Sequence, residues 1–340
     1  MRISSIDFFR TIAIFAIIVL HTSPFKGSDN VFFESLYIGL NQAARFAVPY
    51  FFIVAGYFFG RKILSGTLPE KAFTLYAKRL LRLFFIWTIV YMILPTDIKK
   101  RIMELGLWEA TYEKIYYLVS DPLTLLFQGS RGHLWFFLSL VMALGIITIF
   151  LKLNKKQFIM PVSVSLYFFG LIAGSYSATP LGIDISFNTR NGPFFSTLLV
   201  AFGWYLASEN FKMKPVYSLG LLTLGIFMHA LEAYILWKYY GISPLRHDYL
   251  FGTLLCGVGL TMFVLSQPTL FEGNLLTGWG RYTLGIYVLH LLIIDMLTPL
   301  NKVIMFPLWD IIYPFIVYIL CLSLVLVLSK NNAAKYIVAY

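Results

Sequence analysis

Three ionisable side chains interrupt the first apolar run, IDFFRTIAIFAIIVLH, which extends from Ile6 to His21: Asp7, Arg10 and His21. A charge at membrane depth is expensive and persists where it has a partner or a task. His21 lies eleven positions after Arg10, so at about 100° per residue it returns to within roughly 20° of the same helical direction. Asp7 sits one turn before Arg10 on that stripe. One helix face therefore carries an anion-gripping guanidinium at one end and a titratable imidazole about 16 Å further along the axis. Two readings are open. Either the stripe faces a cavity, or Asp7 and Arg10 snorkel at one membrane flank while His21 meets headgroups at the other.

Further candidates are spread along the chain. Arg79 and Arg82, in KRLLR, are spaced to clamp phosphates from one helix face, though any cytoplasmic loop collects basic residues. His133 and Trp135, in RGHLW, and the pair Arg190 and Asn191 are expected at the outer surface, where they would bind a sugar or anionic ligand or anchor the belt. His229 and Glu232 are one turn apart in a later apolar run. A carboxylate there needs a partner, either His21 on a neighbouring helix or His229 on its own. Thr283, Tyr287 and His290 form a polar stripe that either lines a cavity or packs between helices.

The elements that must hold these residues are membrane helices. Of the 340 residues 59% are hydrophobic and 13% charged, with a mean hydropathy of +0.76, which excludes a soluble domain. The net charge of +11 is expected on cytoplasmic loops and points to no nucleic-acid partner. Cys256 and Cys321 sit in apolar runs as small hydrophobes, with no disulfide framework and no metal-binding spacing. Ten apolar stretches reach crossing length, at about 6–23, 43–60, 80–95, 133–152, 157–174, 192–208, 215–237, 250–266, 282–299 and 310–329. The expectation is a single all-α polytopic domain over 1–340, with both termini on the Lys/Arg-rich, cytoplasmic side. The amino terminus reads as a retained helix, because Asp7 interrupts it and no small-residue cleavage site follows. Within the connection 96–132, Leu105, Trp108, Tyr112, Ile115, Tyr116 and Val119 recur at helical spacing and predict an amphipathic helix on the outer surface.

These stretches resemble the acyltransferase 3 family of bacterial integral-membrane acyltransferases. The likeness lies in Asp7, Arg10 and His21, in VPYFFIVAGYFF from Val48, in KRLLR, in HLWFFLSL from His133 and in GRYTLGIYVLH ending at His290. Ala55 departs from it, since many relatives have Ser there. The resemblance implies a ten-helix enzyme of the bacterial inner membrane. It would take an acyl group, usually acetyl from acetyl-CoA, on the cytoplasmic side and pass it to a hydroxyl of a surface polysaccharide or lipid-linked sugar. It implies that Arg10, Arg79 and Arg82 hold the CoA phosphates and that His21 is the essential histidine, without a metal. A pantetheine arm matches the Arg10 to His21 separation, and Glu232 is the carboxylate expected to orient His21 as a general base. The rival reading is a transporter, with Asp7, Glu232 and the histidines along a proton or substrate path.

Overall fold

The computed structural model describes residues 3–94, 106–209, 213–304 and 306–338. The described residues are mostly helical, with no strand among them. The helices are α1 (Ser4–Thr22), α2 (Val31–Ala43), α3 (Ala47–Leu64), α4 (Pro69–Ile93), α5 (Leu107–Ser120), α6 (Pro122–Gln128), α7 (Trp135–Lys152) and α8 (Ile159–Ile172). They continue as α9 (Pro193–Ser208), α10 (Pro215–Tyr240), α11 (Phe251–Ser266), α12 (Leu275–Trp279), α13 (Thr283–Val303) and α14 (Pro307–Ser329). Four of the long ones, α4, α9, α10 and α14, begin on proline, whose fixed φ and missing N–H suit a first helical turn.

Every apolar stretch read from the sequence is helical, but length and composition separate them. Among the described residues six helical spans are long and apolar enough to cross a membrane: Ser4–Thr22, Val31–Leu64, Gly132–Lys152, Pro215–Tyr240, Leu275–Val303 and Pro307–Ser329. Lys156–Ile172, Pro193–Ser208 and Phe251–Ser266 are apolar but shorter. The remaining expected span, α4, carries Glu70, Lys71, Lys78, Arg79 and Arg82.

Helix α1 is the hub, packing against α3, α11, α12, α13 and α14. Ile6, Ala13, Ile14 and Ile18 are fully buried there. Side chains tie this helix to its neighbours through backbone carbonyls. Ser5 Oγ donates to Val264 O at 2.8 Å, Thr11 Oγ1 to Leu276 O at 2.8 Å, and Tyr50 OH to Ile6 O at 3.0 Å. Helices α3 and α9 run parallel in backbone contact. A Cβ at Gly56 would stand 2.0 Å from the Val200 carbonyl oxygen, and one at Gly203 would stand 1.9 Å from that of Ile53. Only glycine permits that approach, the usual device where helices associate without a hydrophobic driving force. The perimeter is apolar, as in Ile311, Phe315, Ile319 and Val327 of α14.

The amphipathic helix expected in the long connection is α5. Trp108, Tyr112, Tyr116 and Val119 point outward; Leu105, with Lys99, Lys100 and Arg101, lies outside the described residues. Lys114 anchors α5 by donating from Nζ to the carbonyl of Tyr91 and, at 3.1 Å, to that of Leu94. It thereby satisfies two free carbonyls at the end of α4.

Candidate active site

A cavity of about 1120 Å³ opens between α1, α3, α4 and the α12–α13 corner. Its mouth lies where α1 begins and α3 ends, and Arg10, Arg61, Lys62, Arg79 and Arg281 line it against one acid, Glu272. Arg10 is held in place by Asp7, 3.1 Å away on the preceding turn, and by the face of Phe58 at 5.0 Å. Deeper walls are apolar, and the far end is formed by Phe136, Leu140 and Tyr287. Arg82 does not join this lining. Its guanidinium stacks over Tyr336, 5.0 Å from the ring centroid, so of the two arginines expected to act together only Arg79 lines the cavity. The physical reason is that an i,i+3 offset turns Arg82 roughly 60° around the helix from Arg79, toward the chain's last described segment.

Beyond Tyr287 stands a group of three histidines. The His21 ring, in the last turn of α1, lies 5.0 Å from that of His290, and His290 lies 5.1 Å from His133. His133 and His290 are buried, whereas His21 retains accessible surface. Its ring lies against the buried His290, and Arg45, Arg131 and Arg190 are near enough to act on it electrostatically. Each arginine is partly neutralised. Arg131 meets Asp295 at 2.7 Å, while Arg190 and Arg45 share Asp248 at 2.8 and 3.9 Å.

Tyr287 belongs to both compartments. Its hydroxyl donates to the His133 carbonyl, and its own carbonyl accepts from His290 Nδ1 at 2.6 Å. Tyr287 thus lines the basic cavity and also touches the rings of His133 and His290.

The residues expected to bind an acceptor gather on the histidine side. His133 enters through a 3-10 turn, Gly132–Leu134, that leads into α7. Trp135 is buried and supports Arg190, whose guanidinium lies 5.1 Å over the indole. Asn191 Oδ1 accepts from Arg190 Nε at 3.3 Å.

Glu232 is the exception, and the expected pairing with His21 is not formed. Its carboxylate accepts from Tyr176 OH at 2.5 Å and from the backbone N–H groups of Phe251 and Gly252 at 3.1 and 2.6 Å. These are the first residues of α11, so Glu232 caps a helix N-terminus from outside, where free N–H groups and the helix dipole favour an anion. Pairing with His229 is not formed either. That ring bonds Thr253 Oγ1 at 2.9 Å and Gln42 Oε1 at 3.0 Å.

A family model described as an acyltransferase domain matches residues 3–329. The chain belongs to the acyltransferase 3 family. Among curated proteins it is 23% identical over 324 residues to an "Amino-acid racemase" of Enterococcus faecalis, covering 88% of this chain and 42% of that protein. It is likewise 23% identical to a "Serine/alanine racemase" of Enterococcus gallinarum, over 85% of this chain and 40% of that one. The chain therefore spans about two fifths of the length of these relatives. No solved structure matches it.

For this family member, the residues that sequence reasoning left without a role are His290, Tyr287, Arg45, Asp248 and Asp295. The polar stripe Thr283, Tyr287 and His290 is the available signal: Thr283 and Tyr287 line the cavity, and the His290 ring lies beside that of His21. Asp248 and Arg45 meet only through folding, being 203 residues apart in the chain. Among the described residues, no three His, Cys, Asp or Glu side chains are grouped to hold a metal ion.

Proposed function

We propose that this protein is a membrane O-acyltransferase that takes an acyl group, acetyl from acetyl-CoA, at the basic cavity and delivers it to a hydroxyl of a glycan or lipid-linked sugar. The observation that carries this reading is the division of one helix, α1, between a cationic mouth at Arg10 and an imidazole at His21, with Tyr287 touching both the cavity and the histidines. Five cations against one carboxylate suit a nucleotide's phosphates. The volume exceeds the roughly 300–1,000 Å³ of a drug-sized pocket, which leaves room for a long arm. The apolar depth of the cavity suits an extended pantetheine chain.

In this reading the neutral His21 ring accepts the proton of the acceptor hydroxyl as its oxygen attacks the thioester carbonyl carbon. A C–O bond forms, the C–S bond breaks, and the leaving thiolate recovers the proton from His21. Tyr287 must swing aside for the thioester to reach the histidine. Arg190, stacked on Trp135 and flanked by Asn191 and His133, lies where an acceptor sugar would dock. In this reading all ten apolar helices cross the bacterial inner membrane, and the excess of Lys and Arg at the cavity end supports a mouth and both termini on the cytoplasmic side. The racemase names of the Enterococcus proteins are not carried over, because the match takes in less than half of each.

The test uses purified protein in lipid nanodiscs, radiolabelled acetyl-CoA and a membrane glycolipid extract. Label passes to the extract with wild-type protein and not with His21→Ala, and the product is heavier by one acyl group. Full activity in a folded His21→Ala variant would defeat the assignment. Substrate flux through sealed vesicles without any acyl donor would favour a permease instead.

A further inference from the structure

We infer that His290 is the residue that positions His21: its Nε2 lone pair accepts a ring N–H of His21 and so leaves the other His21 nitrogen free to take the acceptor's proton. The consequence for turnover rests on the acyl-transfer reading; the tautomer rests on geometry alone.

A neutral imidazole has one donor and one acceptor nitrogen, and the bond made by one decides the role of the other. His290 Nδ1 lies 2.6 Å from the Tyr287 carbonyl oxygen. A carbonyl oxygen only accepts, so Nδ1 carries the hydrogen and the lone pair is at Nε2. That nitrogen is buried and has no hydrogen-bond partner in the protein. The residue is fully enclosed, so no solvent reaches it as the structure stands. A buried acceptor without a donor is uncommon enough to need an explanation.

Two rings are close enough to supply the donor, and their surroundings distinguish them. His133, 5.1 Å away, is buried and its ring is also packed against Tyr91 and Tyr287, whereas His21 keeps accessible surface and has room to turn. His21 is inclined at 50° with its centroid 5.0 Å away. An N–H···N bond of about 2.9 Å between the edges of two five-membered rings sets their centroids about 5 Å apart. The present ring separation already matches that distance, so the bond needs His21 to turn about its side-chain torsions and not to move its helix. The nearby Arg131 is occupied by Asp295 at 2.7 Å. With Glu232 committed to α11, a neutral histidine takes the orienting role that a carboxylate would otherwise fill, which avoids burying a second charge beside His21.

The chain has five histidines, so histidine-selective ¹⁵N labelling in nanodiscs gives five ring signatures that single substitutions can assign. The expected spectrum shows His290 as the Nδ1–H tautomer. His290→Asn keeps a donor for the Tyr287 carbonyl but loses the acceptor, and should change the ring signals of His21. His290→Gln, whose side-chain oxygen reaches the former Nε2 position, should leave them nearer wild type. With acetyl-CoA and the glycolipid extract, His290→Asn should lower kcat at least ten-fold with KM for acetyl-CoA unchanged, and Gln should recover part of the loss. An Nε2–H tautomer at His290, or His21 signals indifferent to His290→Asn, would overturn the inference. Should the Asn variant not fold, the wild-type tautomer decides. If wild-type protein transfers no acyl group, the enzymatic reading falls while the tautomer measurement still judges this one.

Discussion

Replacing Glu232 separates a structural carboxylate from a catalytic one. Its two oxygens receive three hydrogen bonds, from Tyr176 OH at 2.5 Å and from the N–H groups of Phe251 and Gly252 at 3.1 and 2.6 Å. Hydrogen bonds to a charged group contribute about 1.5–3 kcal/mol each, and a donor left buried and unpaired costs about 1–3 kcal/mol. The three share one acceptor group and do not add fully. Glu232→Ala should therefore destabilise the protein by about 3–5 kcal/mol. Glu232→Gln keeps one acceptor oxygen but sets an NH2 against a donor, and should cost about 1–2 kcal/mol. Thermal unfolding followed by intrinsic fluorescence in detergent reads both, with melting temperatures in the order wild type, Gln, Ala. Acyl transfer per folded molecule should be the same in the Gln variant as in wild type. If Glu232→Gln melts like wild type yet loses transfer a hundred-fold, the carboxylate takes part in the chemistry and the capping account is wrong.

Four further outcomes follow from the same geometry. Removing the imidazole in His21→Ala should lower kcat by about 10²–10⁴, the usual contribution of a general base, with acetyl-CoA affinity unchanged by calorimetry; a parallel loss of affinity would place His21 in donor binding. Arg79→Ala should weaken acetyl-CoA binding about ten-fold or more, as expected for one charged contact, while Arg82→Ala, which loses its stacking on Tyr336, should leave affinity near wild type; equal losses would restore the two-arginine clamp. Gly203→Ala forces a Cβ to within 1.9 Å of the Ile53 carbonyl oxygen and should cost at least about 1–3 kcal/mol by overpacking, read as a lower melting temperature. Burial and the Arg45 guanidinium push His247, in the loop before α11, down to about 4. The unfolded chain then binds the extra proton first, so stability should fall as the pH drops from about 6.5 toward 4, and less so in His247→Phe; identical pH–melting curves would remove His247 as a cause.

The helices and the axis of the site could be read from the sequence because both depend on local periodicity. Apolar runs of sufficient length fold as helices wherever they sit, and an eleven-residue offset puts Arg10 and His21 on one stripe in any α-helix. What could not be read depends on which helix lies beside which. Glu232 looked as though it sought a histidine because His229 is one turn away, but its partners are the free N–H groups of another helix, which carry no residue signature. Arg82 shares a motif with Arg79 yet meets Tyr336, which is 254 positions later. His290 fitted cavity lining and helix packing equally well until its bond to the Tyr287 carbonyl fixed which of its nitrogens is free.

The backbone contact between α3 and α9 has a mechanical consequence. Two parallel rods joined at Gly56 and Gly203, with no side chains to act as bearings, cannot slide past each other. Arg61 and Lys62 ride at one end of this pair, and Arg45, Arg190 and Asn191 at the other. A tilt imposed at one end of the pair would therefore be carried to the opposite end, as by a stiff oar.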